Sequence, residues 1–298
     1  LQNYESLLVF TALAFIRIIP AFANLNLNLN NIFFNEETFN NFLNNDLKKD
    51  QKKSEVKIFS ESEKKSLQRE LKFNFHNVFF KYKDQNDYIL KEINVEFNEN
   101  YLIGLTGRSG SGKSTLTKLI TGFLKPTKGK ILVNNIASFA DSKEWTKLIG
   151  YVPQKIILSN TSIKKNIAMG FDENQIDLKK IFEVIKKPFI NEIIKKENIE
   201  FKVLEDGNNL SGGQIQSIGL ARALYNDPKI IIMDEPTNNL DIKTKKIFMD
   251  QVQNIKQGKL IFLISHDEEL LKKCNKIYVL KDQSLIEVTH DTDLGETI

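Results

Sequence analysis

Residues 101–115 read Tyr-Leu-Ile-Gly-Leu-Thr-Gly-Arg-Ser-Gly-Ser-Gly-Lys-Ser-Thr. Tyr101 to Thr106 is an apolar strand. It runs into a glycine-bearing loop, Gly107-Arg108-Ser109-Gly110-Ser111-Gly112-Lys113-Ser114, and then into a helix that begins at Thr115-Leu116. Strand, loop and helix in that order form the P-loop pattern. The glycines let backbone N–H groups curve around phosphate oxygens, and the helix start adds a positive dipole end. Lys113 is placed to reach the β- and γ-phosphates, and the Ser114 hydroxyl to ligate Mg²⁺.

A second stretch supplies the partner carboxylates. Ile230 to Met233 is an apolar run that ends in Asp234-Glu235. A buried strand of this kind delivers a carboxylate to its C-terminal edge, where ligands of open α/β sheets collect. Asp234 is expected to hold Mg²⁺ through water. Glu235, one position on, can face an attacking water as general base, a role worth roughly 10²–10⁴-fold in rate. A third stretch, Leu210-Ser211-Gly212-Gly213-Gln214, opens a helix. Free N–H groups and a positive dipole end there make an anion site, yet the P-loop already surrounds this chain's own phosphates.

The rest of the chain bounds the reading. With 298 residues it holds one large domain or two small ones. Its 42 basic and 38 acidic residues leave a net charge of +4, which gives no case for nucleic-acid binding by bulk charge. A single cysteine, Cys274, excludes an intrachain disulfide and suits a reducing compartment. The first residue is Leu1 rather than Met, as expected of a fragment or processed form.

Residues 7–23 are apolar apart from Thr11, Arg17 and Pro20. That is borderline for a spanning helix, which needs about 20 residues; the alternative is a buried helix of a soluble domain. The Asn-rich stretch that follows, Asn24 to Asn45, fits a strand by Asn-Leu alternation and a helix by its apolar face, with a helix continuing the apolar run favoured. Residues 46–70 are polar and lysine-rich and are expected to form an exposed linker; lysines beyond a spanning helix also suit its cytoplasmic side. From Leu71, β-rich runs at Lys72–Tyr82 and Glu92–Phe97 precede the P-loop. Helical periodicity marks 171–201. Helices at 213–226, 242–256 and 267–273 then alternate with strands at 229–233, 259–264 and 276–281, which implies a parallel sheet covered by helices.

Taken together, the P-loop, Asp234-Glu235 and Leu-Ser-Gly-Gly-Gln resemble the ATPase domain of ABC transporters over about residues 71–285. The resemblance implies an α/β P-loop NTPase fold with a mixed sheet core, a β-rich N-terminal subdomain and an inserted helical subdomain at about 155–212. It implies ATP with Mg²⁺, and further roles by position. Tyr82 matches the aromatic residue that stacks on adenine, and Gln154 the Q-loop glutamine that senses Mg²⁺ and the γ-phosphate. His266 matches the switch histidine near the γ-phosphate, and Asp241 the D-loop aspartate at the dimer interface. Ser211, Gly212 and Gly213, with Gln214 closing the signature, match the residues that touch ATP bound to the opposite subunit of a head-to-tail dimer. Intact catalytic motifs fit a homodimer.

Two stretches resemble the exporters of that superfamily. One is 152–167, notably Ser162-Ile163 and Asn166-Ile167. The other is Val203-Leu204-Glu205-Asp206-Gly207, similar to the loop that contacts the membrane domain, although Asp206 sits where a basic residue is common. In exporters the ATPase domain usually follows six membrane helices, and 1–45 is placed as the end of the last one. Phe15-Ile-Arg17-Ile-Ile-Pro20 resembles, more weakly, the last spanning helix of flippases for lipid-linked oligosaccharides. Arg17 there would snorkel or meet an anionic headgroup, and Pro20 would kink or end the helix. The implied protein is a multi-pass exporter of the plasma (inner) membrane with a cytoplasmic ATPase and an unknown substrate. The alternative is a soluble ABC ATPase acting on nucleic acid or ribosomes, which membrane fractionation of the full-length product would separate. Ile215, Gln216 and Ser217 replace the basic residues that commonly follow the signature, and are expected to weaken ATP-driven closure. Trp145 and Cys274 read as packing residues, His76 and His290 lack metal-spacing partners, and the tail after Glu287 is expected to fray.

Overall fold

A computed structural model describes residues 59–289, apart from 68, 84, 138–142, 195–198 and 239. The expectations for the apolar run, the Asn-rich stretch, residues 46–58 of the linker and the tail from His290 lie outside these residues. Among the described residues, no helix is long and apolar enough to cross a membrane.

The described part starts with a departure from expectation. Residues 59–67 are not an exposed linker: α1 (Glu61–Leu67) forms there, with Phe59 and Leu67 only 1% and 5% exposed. Ser60 Oγ accepts from the Glu63 N–H at 3.3 Å and Glu63 Oε2 accepts from the Ser60 N–H at 2.8 Å, a reciprocal cap that starts the helix. The polar residues between the two anchors disguise an element attached to the core through its ends.

Two sheets follow. β1 (Lys72–Phe80), β2 (Leu90–Asn98), β4 (Lys128–Val133) and β5 (Ile136–Ala137) form an antiparallel sheet in the order β2-β1-β4-β5. β3 (Leu102–Thr106) leads through the P-loop into α2 (Lys113–Ile120). α3 (Lys143–Leu148) precedes β6 (Ile149–Val152). Short helices α4 (Ile163–Ile167), α5 (Leu178–Ile185) and α6 (Pro188–Ile193) fill the region expected to be helical. Asp177 caps α5 by accepting from the N–H groups of Lys179 and Lys180, and Pro188 opens α6 where its missing N–H costs nothing.

From the signature onward the alternation is as read. α7 (Gly212–Leu224), β7 (Ile230–Asp234), α8 (Ile242–Ile255), β8 (Leu260–Ile264), α9 (Glu268–Leu271) and β9 (Lys276–Lys281) follow one another, and β10 (Ser284–Val288) ends the series. The central sheet runs β10-β9-β3-β8-β7-β6. All its neighbours are parallel except β10, which returns antiparallel along β9. The sheet is therefore mixed.

The central strands are apolar at nearly every position because both faces are covered. Ile231 and Met233 of β7 face a core shared with the helices, including Ile181, Phe189, Ile218 and Phe248. Ile230 and Ile232 face a second core under the antiparallel sheet, with Phe73, Phe97, Trp145 and Phe262. This two-residue period follows from strand geometry. Phe97 and Phe262 meet edge to face, ring centres 5.0 Å apart. Trp145 is fully buried and its indole N–H donates to Thr121 O at 2.9 Å, so it is a packing residue as read. Cys274 is likewise buried.

Candidate active site

Strand β3 is buried throughout and ends at Thr106, so the loop emerges at the C-terminal edge of the sheet. Gly107 has φ 146°, and a Cβ there would lie 2.5 Å from Leu280 O. Gly112, the residue before α2, has φ 108°. Both positions need glycine, one for a close backbone approach and one for a left-handed turn. Lys113 curls back over the loop, its Nζ donating to Gly107 O and, at 3.0 Å, to Arg108 O. Ser111 Oγ is buried without a hydrogen-bond partner.

Strand β7 reaches the same edge two positions away, separated from β3 by β8. Asp234 Oδ2 accepts a hydrogen bond from the Tyr151 hydroxyl at 3.3 Å. Glu235 follows with φ 46°, a left-handed conformation that costs a non-glycine residue roughly 1–3 kcal/mol and gathers at functional sites. Its N–H donates to Ile264 O at 2.9 Å, which fixes the backbone to β8. Its Oε1 is buried with no hydrogen-bond partner and lies 3.7 Å from His266 Nε2, too far for a hydrogen bond.

The charges in this space perturb one another. Burial pushes the Glu235 carboxyl up, and the neighbouring Asp234 charge adds to it, while Lys113 opposes. Burial also raises Asp234, against the Tyr151 hydrogen bond and Lys113. Burial lowers Lys113, held back by the two carboxylates. His266 is lowered by burial and by Lys113, which favours the uncharged imidazole beside Glu235. Tyr151 is pushed up to about 12 by burial, with the Asp234 charge and hydrogen bond adding to it.

A cleft of about 650 Å³ brings these groups together. Of the residues expected in the site, Ser109, Gly110, Gly112, Lys113, Ser114, Thr115, Gln154, Asp234, Glu235 and His266 line it. Gln85, Ile89 and Asn238 line it too and were not anticipated. Gln85 and Ile89 stand on the segment between β1 and β2, where no pattern marks them; Asn238 follows Pro236-Thr237 in the turn after Glu235 and could have been read from that proximity.

Other expected residues lie outside the lining. Tyr82 packs edge to face on Phe80, ring centres 5.0 Å apart, and its hydroxyl is 3.3 Å from Thr115 Oγ1. Gly107, Arg108 and Ser111 shape the loop from beneath or beside it. Ser211, Gly212, Gly213 and Gln214 are not in the cleft at all. They start α7, where Ser211 Oγ accepts from the Gln214 N–H at 3.3 Å and Gln214 Oε1 accepts from the Ser211 N–H at 2.8 Å. Asp241 caps α8, accepting from the Thr244 N–H at 3.0 Å and the Thr244 hydroxyl at 2.7 Å; these bonds hold its carboxyl below the usual range.

Beyond the signature, Ile215 packs against the helix-side core and Ser217 is fully buried with an unpartnered hydroxyl. Ser217 is therefore an interior residue of α7.

The profile of the family described as ABC transporter matches residues 90–238, half of the chain. The chain belongs to the ABC transporter family. It is an ATP-binding domain of that family and an ATPase. Among curated proteins it is similar to the leukotoxin translocation ATP-binding protein LktB of Mannheimia glucosida, 38% identical over 218 residues. The protein of the same name from Mannheimia haemolytica is 38% identical over 219 residues. Each match covers 72% of this chain, and the chain spans only 30% of the length of those relatives. Among solved structures it is similar to a bacterial Atm1-family ABC exporter with ATP bound, with a TM-score of 0.66 and 27% identity over 76% of this chain and 41% of the other.

Proposed function

We propose that this chain is the ATP-hydrolysing half of a membrane exporter that closes head to tail on a second ATPase subunit, most simply a copy of itself, and so drives export or flipping of a substrate. The observation that carries this reading is the separation of two half-sites. Lys113, Ser114, Gln154, Asp234, Glu235 and His266 share one cleft, while the signature faces outward on its own helix start. A chain that supplies the phosphate loop and the base but not the signature is completed by symmetry.

In this reading ATP lies with its phosphates over the P-loop and α2, and Lys113 exchanges its bonds to the loop carbonyls for phosphate oxygens. Tyr82 flanks the adenine. Glu235 takes a proton from the water that attacks the γ-phosphorus; its unpartnered Oε1 and raised pKa suit a base. His266 sits beside it. Ser114, Asp234 and Gln154 offer a hydroxyl, a carboxylate and an amide oxygen. Three hard oxygen donors of this kind would suit Mg²⁺. Mg²⁺, when bound, neutralises charge on the phosphate oxygens.

The named relatives act in leukotoxin translocation, and the solved neighbour is an exporter; both support transport. The cargo is proposed only as a class, a lipid-linked oligosaccharide, a lipid or a peptide. The full-length protein is placed in the plasma (inner) membrane as a multi-pass protein with this domain on the cytoplasmic side; 1–45 is proposed as the end of its membrane part. Phosphate-release and ATP-binding assays on Glu235→Gln test the chemistry. Turnover is expected to fall by roughly 10²–10⁴-fold with ATP binding retained. Wild-type turnover in that variant would remove Glu235 as the base.

A further inference from the structure

Tyr151 is not among the residues expected in the site, yet its hydroxyl touches the Asp234 carboxylate. It is the third residue of β6, the edge strand of the central sheet, in register with Ile232 of β7. Two residues further along, β7 ends in Asp234. The phenol reaches along that edge and donates to Asp234 Oδ2 at 3.3 Å. Among the described residues, no other side chain is hydrogen-bonded to this carboxylate. The contrast with Glu235 is direct, since its Oε1 has no hydrogen-bond partner.

The ring stands on a boundary. Tyr151 and Asp234, together with Ser114, line a second cavity of about 460 Å³ whose other walls include Thr117, Phe123 and Ile149. The phenol thus closes the apolar side of Asp234 while Lys113, Gln154 and Glu235 surround it on the cleft side. A lone aspartate at a strand end can turn about its side-chain bonds; a donor fixed on the neighbouring strand selects one orientation and leaves the other oxygen for the cleft. Tyr151 also lies three residues before Gln154 on the same segment, so the bond links the two donors assigned to Mg²⁺ through a short, strand-anchored path.

We propose that Tyr151 is a positioning residue for the metal-binding carboxylate: its hydroxyl holds one oxygen of Asp234 and presents the other to the cation. The proposal rests on the reading of Asp234 as a Mg²⁺ ligand. It concerns orientation, not chemistry, because Tyr151 lines the adjacent cavity and is not among the residues lining the cleft. Residues that orient a metal ligand typically change metal affinity by about 10–100-fold when lost. A single long hydrogen bond places the expectation at the low end.

The test measures Mn²⁺ binding by electron paramagnetic resonance in the presence of a non-hydrolysable ATP analogue, on the wild-type chain, Tyr151→Phe and Asp234→Asn. Analogue affinity without metal is measured beside it. Phenylalanine keeps the ring that walls the apolar cavity, and thermal unfolding confirms that the variant is folded. Tyr151→Phe is expected to weaken Mn²⁺ binding about tenfold and to leave metal-free analogue affinity within about twofold. Unchanged Mn²⁺ binding in Tyr151→Phe with strong loss in Asp234→Asn would overturn the positioning role and leave the metal site standing. Equal losses with and without metal would also overturn it, by showing a general structural effect. Unchanged Mn²⁺ binding in Asp234→Asn would remove the metal-site reading itself, and the proposal with it.

Discussion

Helices α2 and α7 both begin after a glycine-bearing loop, and they begin in opposite ways. Gly112 precedes α2 without any side-chain cap, so the first N–H groups of that helix face the cleft with nothing of their own to bind. Ser211 and Gln214 close the start of α7 with a reciprocal cap. A helix end leaves four N–H groups to satisfy. At α2 they are left for an anion; at α7 two are answered locally and the N–H groups of Gly212 and Gly213 stay exposed. The contrast extends to the Glu235 and Asp241 carboxylates, although α7 holds buried, unpartnered groups of its own at Gln216 and Ser217. Glu235 and Ser111 keep buried, unpartnered oxygens near α2, while Asp241, at the start of α8, is fully engaged by Thr244. The start of α2 offers its N–H groups to an anion, and the start of α7 is closed in part by its own side chains.

The largest effect expected from breaking this contrast is on the cleft side. As the proposed base, Glu235 would act only as a carboxylate, and its pKa is raised by burial and by Asp234. Turnover is therefore expected to fall as pH drops through that raised value, above the range of an ordinary glutamate. A pH–rate profile should show an acid limb worth at least about tenfold in the wild type. The limb should be missing from whatever slow turnover remains in Glu235→Gln. The same shift has a stability consequence of the opposite sign. A carboxyl whose folded pKa lies above its unfolded value costs stability once pH exceeds the unfolded value, and the cost is relieved as pH falls. Glu235→Gln is thus expected to melt higher than wild type at pH 7, measured by differential scanning calorimetry.

A smaller effect is expected on the signature side. Ser211→Ala removes a cap and should cost about 1 kcal/mol of stability, read from urea midpoints. ATP affinity of the isolated chain should not change, because Ser211 does not line its own cleft. A matching loss of ATP affinity in the monomer would collapse the distinction between the two helix starts.

Much of this contrast was legible in the sequence because it depends on local patterns. The glycines, Lys113 and Ser114 announce the loop, and strands β3, β7, β8 and β9 are short apolar runs because both faces of the central sheet are covered. The signature's cap is also local, a serine three residues before a glutamine. What escaped depends on distance. Tyr151 meets Asp234 across 83 positions, and nothing in Ile149–Val152 distinguishes a tyrosine that donates to a carboxylate from one that packs. Strands β5 and β6 carry too few residues for a clear period, and β4 opens with three residues, Lys128 to Lys130, that are not apolar. α1 went unread because only Phe59 and Leu67, at or beyond its ends, bind it to the core. Ser217 could be judged only once α7 showed which of its faces is buried.

The separation of cleft and signature has one direct test. Sedimentation velocity of Glu235→Gln with saturating ATP and Mg²⁺, where hydrolysis does not reset the system, reports whether nucleotide joins two chains. The account predicts a monomer without ATP, a dimer with it, and a monomer again when Ser211→Arg is added to the same background. A chain that binds ATP through Lys113 and stays monomeric at every concentration would contradict it.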